Sequence, residues 1–166
     1  SVSGNPAHDA ERELPVSDFN DTLYGLINSY RVANLREPCR PEPILESAAG
    51  LHIEWLAAAA KRQVSAKYPQ VDHNTNTRWL RLEHPELRWE YIYNTFPGGL
   101  PEQLGAWDLA RLCGWFGGFL GDVGYFGKRP TPEEVLYGWQ HSPSHNMGIL
   151  WYTFRHFGLA SGSVGG

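Results

Sequence analysis

The stretch TPEEVLYGWQHSPSHNMGILWYTFRHFGLA, residues 131–160, carries the densest local structural signals in the chain. Thr131 is a capping residue, Pro132 suits a first turn, and Glu133 and Glu134 stand where a helix dipole is positive, so a helix is predicted over 131–141. Ser142 and Pro143 repeat the start signal at once and predict a second, short helix over 143–150. The following FRHFGLASGSV reads as a final strand.

Earlier in the chain, Phe19, Leu23, Leu26, Ile27 and Tyr30 share one helical face over 19–35, with Ser17 as cap and Pro38 as the limit. REPCRPEP, residues 36–43, is a proline-rich loop. A second helix is predicted over 43–64, with Pro43 in its first turn and Leu45, Ala48, Ala49, His52, Leu56 and Ala59 on one small-residue face. Residues 65–85 are polar and irregular. LRWEYIYNTF, residues 87–96, alternates aromatic and other side chains and is predicted to be a strand with Glu90 opposite the aromatics. Residues 97–130 read as an aromatic and glycine-rich insertion in which Pro101 opens a short helix. The order helix, helix, strand, helix, helix, strand predicts an α+β layered domain.

The 166 residues, 42% hydrophobic and only 19% charged, exclude a disordered tail, a collagen and a coiled coil, and suit a single domain over 1–166 with a polar leader over 1–17. Fourteen basic against eighteen acidic side chains give −4, without the basic stripe that a nucleic-acid partner needs. No apolar run is long enough for a transmembrane segment. The first residues, SVSGNPAHDAEREL, lack an initiator Met and an apolar signal core, as expected of a processed chain whose export signal was encoded upstream.

His141 and His145 have i, i+4 spacing, yet Ser142–Pro143 starts a helix between them, and no HExxH is present. His145 falls in a first turn, where the dipole keeps imidazole neutral; it can serve as a metal ligand or simply bond near the helix start. His52, on an apolar face, reads as a satisfied core histidine, and His73 lies in the polar loop VDHNTNT. Glu90 needs a partner if its face is covered and none if it borders water. Ser142 and Ser144 read as helix-start residues. Cys39 and Cys113 are either two buried thiols or, in an oxidising compartment, one disulfide closing a long loop.

Four stretches, LINSYR (26–31), LESAAGLHIEWLA (45–57), WEYIYN (89–94) and VLYGWQHSPSHNMGILWYTFRHFGLA (135–160), in this order, resemble the bacterial branch of the CAP superfamily. These are the cysteine-rich secretory, antigen 5 and pathogenesis-related class 1 (SCP-like) proteins. The most specific element is W-x-x-S-P-x-H followed by an Ile-Leu helix and F-G-L. The four stretches lie within about two thirds of the chain, and 97–130 has no counterpart.

The resemblance implies an α-β-α sandwich with a short central antiparallel sheet in a secreted, periplasmic or cell-surface protein. It further implies a cleft whose histidines and glutamate bind zinc or another divalent cation, or a small or lipid ligand. Residue by residue, it makes His145 the second cleft histidine, Glu90 the glutamate, and His73 the first histidine, with His84 as the other candidate. Trp-Glu-Tyr stands here where the family has Gly-Glu-Asn, and Ser142 replaces a second glutamate. Export would join Cys39 to Cys113. The family sheet normally continues past F-G-L, so an open strand edge is expected to invite a partner. Two further expectations follow: a non-catalytic accessory or scaffold subunit contacting a protein through Trp115, Phe116, Phe119 and Tyr125, and, by analogy with proposed protease relatives, a metal-dependent hydrolase.

Overall fold

The computed structural model describes residues 16–62 and 73–163. Among them are seven helices and four two-residue strands: α1 (Val16–Ala33), β1 (Arg40–Pro41), α2 (Pro43–Arg62), β2 (Thr75–Asn76), α3 (Thr77–Glu83), α4 (Trp89–Thr95), β3 (Gln103–Leu104), α5 (Ala106–Cys113), α6 (Pro132–Gln140), α7 (Pro143–Ile149) and β4 (His156–Phe157). The class is mixed and helix-dominated. Most of the leader over 1–17 and the segment 65–72 lie outside the described residues.

Hydrophobic side chains gather into two cores. One is built by α2, α3, α4 and α5 around Leu45, Leu80, Trp89, Ile92, Leu104, Leu109 and Leu112. The other joins α1, α6 and α7 through Leu23, Ile27, Val135, Leu136, Trp139 and Ile149. Every apolar position predicted on the α1 face lies in the second core or packs against it: Leu23 and Ile27 within, Phe19, Leu26 and Tyr30 at its margin. This is the behaviour expected of an amphipathic helix with a 3.6-residue period.

The start of α6 follows its sequence signals closely. Glu134 N–H donates to Thr131 Oγ1 at 3.1 Å and Thr131 N–H donates to Glu134 Oε2 at 3.4 Å, a reciprocal capping box with Pro132 as first residue. The helix ends at Gln140, and α7 restarts at Pro143, so His141 stands outside both. Its Nδ1 bonds to Tyr137 O at 2.8 Å and its ring stacks on Tyr137.

Several expectations are corrected. Residues 89–95 are a helix, α4, not a strand. The apparent two-residue alternation conceals Trp89 and Ile92, three apart and both buried, with Phe96 completing the packed face, and burial against the first core decides in favour of the helix. α1 begins at Val16, which puts Ser17 inside its first turn. In place of a central antiparallel sheet there are two separate ladders: β1 parallel to β4, and β2 antiparallel to β3. Only His156 and Phe157 of the predicted final strand pair. Within the segment 97–130, Leu104, Leu109, Ala110 and Leu112 are almost wholly buried and α5 packs on α2. The helix of this segment starts at Ala106 after Gly105, and Pro101 precedes the β3 strand.

Candidate functional site

The two cores do not close on each other completely. Between them runs a cleft of about 2060 Å³. One wall is the α2 face carrying Ala48, Ala49, His52, Leu56 and Ala59, the small-residue face legible in the sequence. Alanines at these positions hold the helix in the fold without filling the space beside it, whereas longer side chains would close it at ordinary packing density. The facing wall is formed by Phe19, Leu23 and Ile27 of α1 with Val135 and Trp139 of α6, and the segment 118–130 borders both.

Polar and charged groups are spread through this lining, among them Asn20, His52, His73, Gln103, Asp122 and Arg155. His52 Nδ1 lies 2.9 Å from Thr75 Oγ1, and Thr75 is fully buried, so the ring is tied to a covered hydroxyl, as expected of a satisfied histidine. At another point of the cleft, His73 Nδ1 lies 2.6 Å from Asp122 Oδ2. Both side chains are about half exposed, at 51% and 45%. A carboxylate on Nδ1 fixes the ring orientation and leaves Nε2 as the atom available to a ligand. His156 also borders the cleft, its ring edge-on to Trp115.

The structure does not bring His73, Glu90 and His145 together. Among the described residues no group of three His, Cys, Asp or Glu side chains is placed to hold a metal ion. Glu90 is exposed in the first turn of α4, where the helix dipole favours its charge and water covers its face. His145 is half-buried in the first turn of α7 and is not part of the cleft lining, although its neighbours Ser144, Met147 and Gly148 are.

His84, the other candidate for the first cleft histidine, is committed elsewhere. Its Nε2 lies 2.6 Å from Glu54 Oε2 on α2, and its Nδ1 lies 3.0 Å from Glu86 Oε1. Burial alone would lower its pKa, but the two carboxylates outweigh that and raise it above the ordinary imidazole value. The same contact, together with a backbone hydrogen bond that acts first, holds the Glu86 carboxyl below its usual range.

The expected disulfide is not formed, and both cysteines are free thiols. Cys39 is held beside α1, its N–H donating to Asn28 Oδ1 and its carbonyl accepting from Asn28 Nδ2, while Cys113 ends α5 and packs against the first core. Burial raises the Cys39 pKa, partly opposed by Arg31 and Arg155, and pushes the Cys113 thiol up to about 11. Both are therefore protonated and weakly nucleophilic at neutral pH.

The four aromatic residues expected at a partner surface divide. Trp115 is half-buried against the first core, whereas Phe116 and Phe119 are 56% and 69% exposed. Tyr125 is 41% exposed but covers Gly138 of α6, where a Cβ would meet its ring. Asp122 stands 49 residues from His73, so their partnership leaves no local signal in the sequence. No helix of the described residues is long and apolar enough to cross a membrane. Comparison with family models, curated proteins and solved structures finds no match for this chain.

Proposed function

We propose that the chain is a CAP-like domain that binds an elongated apolar ligand, of fatty-acyl or sterol-like chemistry, in the cleft between its two cores. The observation that carries this reading is the cleft itself: about 2060 Å³ of space along an alanine-rich helix face, with a lining that is apolar for the most part. That volume exceeds the roughly 300–1,000 Å³ of a typical small-ligand site and suits a long chain or a fused-ring skeleton. The His73–Asp122 pair would meet the polar end of the ligand, with Nε2 facing a hydroxyl or carboxylate. The order of the four CAP-like sequence stretches supports the family reading. No reaction is assigned, since burial raises the pKa of both cysteines and neither is activated as a nucleophile.

Trp55, Trp115, Trp139 and Trp151 border the cleft, so energy transfer from tryptophan to a fluorescent fatty acid measures occupancy directly. Saturable transfer at one ligand per chain is expected, and Ala49→Phe combined with Ala57→Phe should weaken it at least tenfold by filling the α2 face. Absence of saturation, or equal binding by a folded filled variant, overturns the proposal.

A further inference from the structure

Between the end of α5 and the start of α6 the chain forms neither helix nor strand. Residues 116–128 make no backbone–backbone hydrogen bond among the described residues. Residues 118–130 nevertheless line the cleft one after another, and most of them are also exposed to solvent. A segment with one side on a cavity and the other in water, and with no ladder to hold it, takes its position from side-chain contacts.

The two ends of this segment are clamped. Arg111 donates from Nη1 to Trp115 O at 2.6 Å and from Nη2 to Gly117 O at 3.1 Å. The Trp115 ring lies so close to Gly117 that a Cβ there would sit 2.5 Å from it, and the Tyr125 ring lies in the same way against Gly127, at 2.9 Å, and against Gly138 of α6. Between the clamps, the stretch 118–124 reaches from one core to the other, because Leu120 packs against the first and Val123 against the second. Trp139 Nε1 donates to Gly124 O at 2.9 Å, and the Phe119 ring stacks on Phe154 with centroids 5.8 Å apart. In the opposite direction, Asp122 Oδ2 meets His73 Nδ1 at 2.6 Å. His73 stands two residues before Thr75 of β2, which pairs with Leu104 of the first core. Leu120 and Asp122 thus tie the stretch toward the first core, and Val123 and Gly124 tie it to the second.

We propose that residues 118–124 are a strap that swings off the first core to admit a ligand to the cleft, with the His73–Asp122 contact as its latch. The inference rests on the reading of the cleft as a ligand site and names how access to that site is regulated. The first core is the side that releases. Both latch side chains are about half exposed, so water competes for them and the pair adds little to the closed state. The other side holds, because Val123 is packed on the second core and the Trp139 indole keeps the Gly124 carbonyl. A strap that opens by a small free-energy step is open often enough for uptake, and its return shields an apolar ligand from water.

Thiol labelling of the full chain without ligand tests the strap itself. Leu120→Cys and Val123→Cys place half-buried reporters on its two sides, and the covered Cys113 is an internal reference read from the same peptide masses. Adding Asp122→Ala should speed alkylation at Leu120→Cys by roughly two- to fivefold, the scale of one exposed pair, and leave Val123→Cys and Cys113 slow. An unchanged rate at Leu120→Cys overturns the proposal, and so does equal acceleration at all three thiols, which would mean that the whole fold has loosened. A second measurement needs no added cysteine. In stopped-flow mixing with a fluorescent fatty acid, Asp122→Ala should raise the entry rate constant by a similar factor, whereas a contact that only grips the bound ligand would speed exit and leave entry as it was; that second pattern overturns the latch. If no form of the protein takes up the fatty acid, the cleft reading fails, and the labelling rates still decide whether the strap opens.

Discussion

The guanidinium of Arg31 donates from Nη1 to the carbonyl oxygen of Ile149 at 2.6 Å, joining the last turn of α1 to the end of α7 across 118 positions of sequence. Arg31 is 1% exposed, and its other donors satisfy Glu37, Trp151 and Phe154 carbonyls. One cation therefore replaces the missing helical partners at a helix end and fixes the turn after it.

Arg31→Met should destabilise the fold by about 3 kcal/mol, since it leaves several covered carbonyls without donors. Arg31→Lys should recover little, because an ammonium cannot reproduce the planar fork. Urea denaturation measures both, and a loss below about 1 kcal/mol for Met would show that water replaces the guanidinium.

The Glu54–His84–Glu86 contact predicts a pH dependence. The folded-state pKa of His84 is raised, so the folded chain binds the proton more tightly than the unfolded chain does. Its contribution is fully present below the ordinary imidazole pKa of about 6.5 and is lost as pH rises through the elevated folded value. Glu54→Gln should flatten this part of the stability profile, and the His84 ring resonances should titrate at lower pH in the variant. An unchanged titration would remove the contact from the folded state in solution.

Alkylation in denaturant without reductant should label both Cys39 and Cys113, because neither is bridged. In the native protein both should react slowly, being covered and protonated. A mass showing no added groups until reductant is present would restore the disulfide.

Trp115→Ser should cost about 2–3 kcal/mol through lost packing on the first core, while Phe119→Ser should change stability by less than about 1 kcal/mol. Thermal melts of the two single variants distinguish them, and equal losses would place Phe119 in the core as well.

Gly158→Ala should be among the most damaging small substitutions, because a Cβ there overlaps the backbone of Leu45 and Glu46 at the start of α2. We expect a loss above about 2 kcal/mol by urea denaturation, and a near-neutral result would mean that the chain after β4 shifts easily.

Local chemistry in the sequence determined a great deal: the helical face of α1, Pro43 at the start of α2, the Thr131–Glu134 capping box, the restart at Pro143 and the small-residue face that lines the cleft. Each depends on residues within a turn or two of one another, where spacing alone states the physics. Tertiary structure decided what depends on distant partners. It made WEYIYNT a helix because Trp89 and Ile92 had a core to enter, drew the 97–130 segment into that core, and left Cys39 and Cys113 unjoined. It also paired His73 with Asp122 and His84 with Glu54, and left Glu90 and His145 apart from them. A side chain's identity limits the bonds it can make, but which acceptor reaches it is settled only when the two cores and their loops are packed together.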